Sequence, residues 1–265
     1  MTGTYLDEIM AYHRGRTSND HRDWRQRLEQ VHYRGPSFRA AVENLTNPYV
    51  KVIAEVKRRS PSKGWIDQHL DAPALASAYQ RGGASAISVL TDEPHFAGSR
   101  RDLTTVHESV QLPLLRKDFT VSANDVLDAA QMGASAILLI VAALDDHELR
   151  HLQEVAQECG VDALVEVHDV QDGRRALASG AALIGVNQRD LRTFAIDTDQ
   201  AGDVIASLPA TVLTVAESGI VTLNDVRQVA QLGFDAVLIG ETFVRSANPE
   251  QLVHQFACVA RVTRG

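Results

Sequence analysis

The first candidate for chemistry in this sequence is a pair of opposite charges inside an apolar run. The segment VKVIAEVKRRSPSKG, residues 50–64, begins as a buried strand and carries Glu55 and Lys57 just before a Ser-Pro turn. Side chains two residues apart lie on the same side of a strand, so these two could reach one ligand together. The alternative is an exposed ion pair at a sheet edge, worth about 0 to 1 kcal/mol.

Further polar and ionisable residues interrupt apolar runs along the chain, mainly at the C-terminal ends of the predicted strands. They are Glu55, Lys57, Lys117, Glu166, Asn187, Arg189, Glu217 and Ser218, with Gly240 and Glu241 after the last strand. Two lysines, an arginine and three carboxylates at the strand ends predict a site for an anionic substrate that undergoes proton transfers. Glycines after the seventh and eighth strands, Gly219 and Gly240, indicate a phosphate site built from backbone N–H groups.

The elements that must position these residues are eight apolar, strand-like runs with helical patterns between them. The runs are VKVIAEV, ASAISVL, LPLLRKD, SAILLIV, DALVEVH, ALIGVN, TVLTVAES and AVLIGE. Five of them follow a glycine that could end a helix in the left-handed conformation: Gly83, Gly133, Gly160, Gly180 and Gly233. This βα repeat predicts a single (β/α)8 TIM barrel, whose active site lies at the C-terminal ends of the strands. A doubly wound open sheet is disfavoured because the sequence has no Gly-x-Gly-x-x-Gly fingerprint.

The segment before the first strand has helical periodicity. Apolar residues recur at helical spacing from Leu6, and Ser37 should cap a short helix that runs to Leu45. We therefore expect a helical extension over residues 1–48 and a barrel over residues 49–265, together forming one domain. The length of 265 residues fits a barrel of this class, which typically takes about 250.

Composition and charge exclude several classes of protein. The formal net charge of −8 argues against a nucleic-acid or anionic-membrane surface. The N-terminus lacks the apolar run of a signal peptide, no stretch approaches the ~18 apolar residues of a membrane span, and the two cysteines have no metal-binding spacing. We expect a cytoplasmic protein, a monomer or weak homo-oligomer, that binds neither nucleic acid nor membranes.

Seven motifs together resemble one known family. IAEVKRRSPSKG, SVLTDEPHFAGS, LPLLRKDF, LVEVHD, IGVNQRDL, AESGI and VLIGE, in this order, closely resemble indole-3-glycerol-phosphate synthase of tryptophan biosynthesis. The resemblance covers residues 50 to about 245 and extends to a helical N-terminal arm. It implies a lyase that converts 1-(2-carboxyphenylamino)-1-deoxyribulose 5-phosphate to indole-3-glycerol phosphate. Carbon dioxide and water are lost, and neither a cofactor nor a metal is required.

The resemblance implies catalytic roles for five residues. Lys117 would be the general acid that protonates the ketone oxygen of the substrate during ring closure. Lys57 would hold the carboxylate that leaves, and Glu166 would be the general base of the dehydration. Glu55 and Asn187 would orient the amine and hydroxyl groups of the substrate.

The resemblance also implies which residues surround the substrate. Those lining the site would be Ser60, Arg189, Glu217 and Ser218, with Phe96 and Phe119 as apolar walls for the aromatic ring and Gly219, Gly240 and the amide of Glu241 for the phosphate. Three side chains are less usual for the family, His95, Gln188 and Glu241. Glu241 fits a phosphate site only if its carboxylate turns away from the anion.

Two other functions remain open. A class I aldolase would form a Schiff base through Lys57 or Lys117, which requires a lysine whose pKa is lowered by apolar surroundings. Charged residues surround both lysines in the sequence, which counts against it. A non-catalytic barrel that only binds a phosphorylated ligand is the second alternative, and the complete set of polar strand-end residues counts against that.

Overall fold

The computed structural model describes residues 4–43, 48–61, 63–189 and 198–264. Eight apolar runs form parallel strands that close into a barrel, which confirms the predicted TIM barrel. The barrel strands are β1 (Lys51–Val56), β4 (Ala86–Leu90), β5 (Leu114–Lys117), β6 (Ala136–Ile140), β7 (Asp162–Val167), β8 (Leu183–Asn187), β9 (Leu213–Glu217) and β10 (Ala236–Ile239). Each strand pairs with its neighbour in the chain, and β1 closes the ring by pairing with β10.

Helices precede the first barrel strand, and further helices lie between and after the strands. They are α1 (Tyr5–Ser18), α2 (Trp24–Leu28), α3 (Phe38–Val42), α4 (Ala72–Arg81), α5 (Glu93–Phe96), α6 (Arg100–Ser109), α7 (Ala123–Gln131), α8 (Asp146–Glu158), α9 (Val170–Ala178), α10 (Thr198–Ser207), α11 (Leu223–Gln231), α12 (Glu241–Val244) and α13 (Pro249–Ala257), with a 3-10 turn at Val141–Ala143. The five glycines predicted to end helices all have positive φ, between 80° and 91°. They let the chain leave a helix and enter the next strand without Cβ strain.

Two apolar layers hold the strands in place. One fills the barrel interior and includes Ile53, Leu115, Leu164 and Val215, all of them buried. The other lies between the barrel and the surrounding helices and is the larger of the two. Burial on both faces explains why the strand sequences are almost continuously apolar up to the polar residues at their C-terminal ends.

The N-terminal helices pack against both ends of the barrel. At one end Phe38 and Val42 of α3 are fully buried against the interior layer, and Asp162 at the start of β7 accepts a 2.9 Å hydrogen bond from Ser37 Oγ. Ser37 caps α3 as predicted, but the predicted helix was too long, because Glu43 already adopts extended backbone. Leu45 lies outside the described residues.

At the opposite end, α1 covers part of the barrel mouth with its apolar face. A short antiparallel hairpin, β2 (Arg59–Ser60) and β3 (Gly64–Trp65), follows β1 at the same end. Within the ranges described above, none of the helices has the length and apolar character needed to cross a membrane.

Candidate active site

A cavity of about 440 Å³ opens at the C-terminal ends of the barrel strands. The structure brings all of the predicted site residues to its walls: Glu55, Lys57, Ser60, Phe96, Lys117, Phe119, Glu166, Asn187, Arg189, Glu217, Ser218, Gly219, Gly240 and Glu241. The cavity lies where this fold places its active sites, because the loops at that end vary freely above a rigid barrel.

The centre of the cavity is an ammonium group held between two carboxylates. Lys117 Nζ donates a 2.8 Å hydrogen bond to Glu166 Oε2 and lies 3.1 Å from Glu217 Oε2. The three residues come from β5, β7 and β9, which alternate around the barrel, and Glu55 comes from the next alternate strand, β1. Inward side chains of alternate strands form one layer of a TIM barrel, so the strand order itself brings these four groups together.

Burial and the mutual charges of this layer shift three pKa values. Burial disfavours the charged form of Lys117, but the carboxylates of Glu166 and Glu217 outweigh it and raise its pKa. Burial also opposes ionisation of Glu166, yet the ammonium of Lys117 lowers its pKa to about 2. For Glu217, burial dominates and raises the pKa to about 7. Near neutral pH Glu166 is therefore a permanent carboxylate, whereas Glu217 can take up a proton.

Glu166 is held in one orientation by contacts to both of its oxygens. Asn187 Nδ2 donates a 3.1 Å hydrogen bond to Oε1, and Lys117 occupies Oε2. The Asn187 side chain is itself fixed, because its Oδ1 accepts a 3.0 Å hydrogen bond from the backbone N–H of Arg189. An ionised carboxylate with both oxygens positioned in this way is suited to remove a proton from a bound molecule.

Glu55 and Lys57 form a close ion pair inside the cavity, so the alternative of an exposed edge pair is wrong. Lys57 Nζ lies 2.6 Å from Glu55 Oε1, and the two side chains are 19% and 4% exposed. Ser88 Oγ donates a 3.3 Å hydrogen bond to Glu55 Oε2. Gly240 packs directly against the pair, and a Cβ at that position would lie 2.5 Å from Glu55 Oε1. The absence of a side chain at 240 therefore makes room for the ion pair.

The turn after β9 has an unusual backbone. Ser218 and Gly219 both have positive φ, 64° and 73°. This region is unfavourable for a residue with a Cβ, so Ser218 carries strain of the kind that is found at functional sites. Gln188 supports the turn by donating a 3.1 Å hydrogen bond from Nε2 to the carbonyl of Ser218.

The carboxylate of Glu241 is paired with two cations. β10 ends at Ile239, two residues earlier than the run AVLIGE suggested, and Glu241 opens α12. Its carboxylate lies 3.2 Å from Lys63 Nζ and accepts a 3.0 Å hydrogen bond from Arg245 Nε. Burial opposes ionisation of Glu241, but hydrogen bonds from Lys63 and Arg245 lower its pKa. Its negative charge is thus compensated by Lys63 and Arg245.

Aromatic and apolar groups form one wall of the cavity. The rings of Phe96 and Phe119 lie 6.3 Å apart, tilted by 39°. Ser60, on the hairpin, has a buried hydroxyl for which the described part of the chain offers no hydrogen-bond partner. Arg59 ties the hairpin to α5 by donating to the carbonyl of His95 at 3.0 Å. A flat apolar wall beside a free hydroxyl suits an aromatic ligand with polar substituents.

Comparison with known proteins identifies the family. A sequence profile described as indole-3-glycerol phosphate synthase matches residues 6–256. The chain belongs to the indole-3-glycerol phosphate synthase family. An indole-3-glycerol phosphate synthase from Parafrankia sp. is 47% identical over 229 residues, covering 86% of this chain and 84% of the relative. One from Acetivibrio thermocellus is 39% identical over 260 residues, covering 96% and 99%.

Solved structures outside the indole-3-glycerol phosphate synthase family share the fold. 3-Hexulose-6-phosphate synthase from Salmonella typhimurium superposes with a TM-score of 0.61 at 15% identity, covering 78% of this chain and 97% of that one. A thiamine phosphate pyrophosphorylase from Pyrococcus furiosus gives 0.59 at 15% identity, covering 80% and 96%. At this level of identity the likeness concerns the barrel and not the chemistry.

The sequence motifs did not predict several residues that line the cavity. They are Tyr5, Leu6 and Ile9 of α1, Lys63 of the hairpin loop, and Arg245 after α12. The apolar stripe of α1 was a signal that could have been used, because a stripe outside the barrel must bury itself on some surface. Lys63 and Arg245 gave no such signal, since a basic residue in a loop is usually solvated.

Proposed function

We propose that the chain closes the pyrrole ring of 1-(2-carboxyphenylamino)-1-deoxyribulose 5-phosphate to give indole-3-glycerol phosphate, with release of carbon dioxide and water. As a member of the indole-3-glycerol phosphate synthase family, the chain is a decarboxylating lyase of tryptophan biosynthesis. The main support for this proposal is the position of the Lys117 ammonium group, which lies between Glu166 and Glu217 at the centre of the cavity.

In the ring closure, Lys117 acts as general acid. The aromatic ring carbon attacks the ketone carbon, a carbon–carbon bond forms, and the carbonyl electron pair moves to oxygen. The developing alkoxide takes a proton from the ammonium, whose raised pKa ensures that the proton is present at neutral pH. The positive charge also stabilises the oxygen before the proton has moved.

In the decarboxylation and the dehydration, Lys57 binds a negatively charged group of the substrate and Glu166 accepts a proton from it. Lys57 holds the ring carboxylate until the bond to it breaks, when carbon dioxide leaves and its electron pair returns to the ring system. Glu166, ionised because Lys117 lowers its pKa to about 2, removes the proton that the intermediate loses in the dehydration, while the hydroxyl leaves as water with a proton that Lys57 donates. Glu55 and Asn187 orient the substrate amine and hydroxyls between these groups.

The remaining wall residues hold the substrate. Phe96 and Phe119 contact the aromatic ring, and Ser60, Arg189, Glu217 and Ser218 contact its polar groups. The phosphate binds at the backbone N–H groups of the turns containing Gly219 and Gly240, with the amide of Glu241. The strained turn after β9 supports this position for the phosphate, because its backbone is held at positive φ, a conformation that residues with a Cβ disfavour.

A Schiff-base aldolase is the weaker hypothesis for this site. An amine that attacks a ketone must be neutral, whereas the neighbouring carboxylates raise the pKa of Lys117. Borohydride treatment in the presence of a keto-phosphate should therefore leave Lys117 unmodified. A covalent adduct on Lys117 would favour the aldolase. A purely ligand-binding barrel remains the other alternative, and turnover excludes it.

We propose that catalysis uses no cofactor and no metal, and that the protein works in the cytoplasm as a monomer or weak homo-oligomer without a nucleic-acid partner. The net charge of −8 supports the last point. We also propose that residues 1–48 and the barrel over 49–265 form one domain. The packing of α1 and α3 on opposite ends of the barrel supports this.

The decisive experiment is incubation of the chelator-treated protein with the anthranilate deoxyribulose phosphate. We expect an indole product and an equimolar amount of carbon dioxide, without added nucleotide, flavin or metal. Product formation is followed by indole fluorescence and carbon dioxide by a coupled assay. A requirement for added divalent metal with no accompanying change in Tm would contradict the proposed chemistry. Absence of turnover under all conditions would favour a ligand-binding barrel.

A further inference from the structure

A cluster of two histidines and a carboxylate lies next to the cavity, between α1 and α5. His13 belongs to α1, Asp92 precedes α5, and His95 lies within it. The side chains of His13 and Asp92 are 4% and 1% exposed, and that of His95 is 12% exposed. None of these side chains has a role in the chemistry proposed above.

The cluster contains a buried donor or acceptor without a partner. Among the residues that the structure describes, His13 Nε2 is buried and makes no hydrogen bond. It points towards oxygens that are too distant for one, 3.8 Å away on Asp92 and 4.0 Å away on Asp118. A buried polar atom in this state calls for an explanation, and one explanation is an ion that occupies the space between the groups.

The charge of Asp92 calls for the same explanation. In the described ranges no lysine or arginine lies within ion-pair distance of its carboxylate, which meets the imidazoles of His13 and His95 and accepts a backbone hydrogen bond from His95. Asp118 differs, because Arg116 compensates it at 2.7 Å. A buried carboxylate is stable only if it is paired with a cation, binds a metal or is protonated.

We propose that His13, Asp92 and His95 bind a divalent transition-metal ion, for which Zn²⁺ is the best match. Two imidazole nitrogens and one carboxylate oxygen are a common zinc donor set, with a fourth position left for water or Asp118. The three ligand atoms lie within 4.8 Å of one another. Tetrahedral zinc needs them roughly 3.3 Å apart.

Small side-chain movements would complete this geometry. Asp92 Oδ1 lies 3.3 Å from His95 Nδ1 and 3.8 Å from His13 Nε2, at and slightly beyond the required separation. The guanidinium of Arg16 lies 3.5 Å from His13 Nδ1 and would have to turn further towards Asp125, with which it already pairs.

The ion would have a structural role. It would join α1, which covers the cavity, to α5, which carries the wall residue Phe96. The His13 ring also lies 5.2 Å from the ring of Phe119, the second wall residue, at a tilt of 36°. Metal binding would therefore fix the position of the N-terminal arm without contacting the reacting atoms, and this inference does not depend on the proposed function.

The test is titration of the metal-free full-length protein with Zn²⁺ by calorimetry, and with Co²⁺ by visible absorption. We expect one ion per chain, the intense visible bands of tetrahedral Co²⁺, and a Tm that rises with Zn²⁺ concentration. His13→Gln and His95→Gln should each weaken binding by roughly tenfold or more, because each removes a ligand. The Tm and circular dichroism of the metal-free variants show whether they fold, and the more exposed His95→Gln is the safer of the two.

A second histidine pair on the surface provides the matched control. His147 and His151 lie one turn apart on α8, with ring centroids 6.3 Å apart, a spacing that can hold a metal adventitiously. His147→Gln should leave the stoichiometry and affinity unchanged. The proposal is overturned if the native protein shows no saturable binding, if His147→Gln removes the binding, or if folded His95→Gln retains native affinity. If the native protein shows no saturable binding, a proton rather than a metal ion would lie between the imidazoles and the carboxylate of the cluster.

Discussion

The sharpest test of the proposed site changes a residue that takes no part in the chemistry. Gly185 lies within β8, directly against the carboxylate of Glu217. A Cβ at position 185 would lie 2.0 Å from Glu217 Oε1 and 3.2 Å from its Cδ. Because non-bonded carbon and oxygen atoms need roughly 3.2 Å or more, the Gly185→Ala substitution must push that oxygen away by about 1 Å.

The cost of this displacement should appear in activity rather than in stability. Glu217 Oε2 is only 3.1 Å from Lys117 Nζ, so moving the carboxylate disturbs the hydrogen-bonded layer around the general acid. A misplacement of about 1 Å in a catalytic array can reduce the rate roughly 10²-fold. The displaced atom is the end of a flexible side chain, and alanine is at least as favourable as glycine in a strand. We therefore expect kcat/KM to fall by about 10²-fold while Tm changes by only a few degrees.

Steady-state indole formation and thermal unfolding of the same preparation provide the two measurements. Gly173→Ala is the matched control, because a Cβ there would meet its nearest neighbour, Leu208 Cδ2, at an ordinary 3.5 Å. It should keep native activity and gain slightly in Tm, since alanine is the better helix former. If folded Gly185→Ala retained kcat/KM within about threefold of the native value, the position of the Glu217 carboxylate would not matter for turnover, and its place in the site would be refuted.

Three further predictions follow from the same contacts. Lys117→Met should fold normally but lose turnover by roughly 10²- to 10⁴-fold, the usual scale for a positioned acid; near-native kcat would make Lys57 the next candidate. Glu241→Ser should leave KM for the phosphorylated substrate within a few-fold of the native value, whereas Gly219→Val should raise it sharply, because the backbone rather than the side chain binds the phosphate. If Glu241→Ser tightened substrate binding by more than about tenfold, the Glu241 carboxylate would have to face the anion. Since burial raises the pKa of Glu217 to about 7, its carboxyl group is neutral below that pH and negative above it. For an anionic substrate, kcat/KM should therefore fall as pH rises through 7. Glu217→Gln should remove this inflection from the pH profile, and an inflection that persists in the variant would belong to another group.

The fold could be predicted because its signals are local and repeated. Apolar runs of strand length alternate with helical stripes, and five glycines mark where helices end. The polar residues at the strand ends could also be placed, since parallel strands in a barrel all present their C-terminal ends to the same side. Once the fold was known, Lys117 and Glu166 were expected to share a cavity.

The contacts between distant loops could not be predicted. Periodicity indicates that a face of α1 is buried but does not indicate against which surface, so Leu6 and Ile9 were not placed in the cavity. The ion pair between Lys63 and Glu241 joins residues far apart in the chain, and no local pattern specifies it. The sequence also gave no sign that His13 would lie beside Asp92, because both are single polar residues in separate segments.

The pairing of the first and last barrel strands has a consequence for how the protein is made. Lys51 of β1 lies opposite Ala236 of β10, so one edge of β1 has no partner until nearly the whole chain has left the ribosome. During that interval the unpaired edge is open to association with other nascent chains, as is usual for slow, non-local β pairing. Glu55 also packs against Gly240 only after closure. A chain that stalls or is cut before its last strand therefore contains Lys117, Glu166 and Glu217, but it has an open barrel, no Gly240 beside Glu55 and an unpaired β1 edge that favours aggregation.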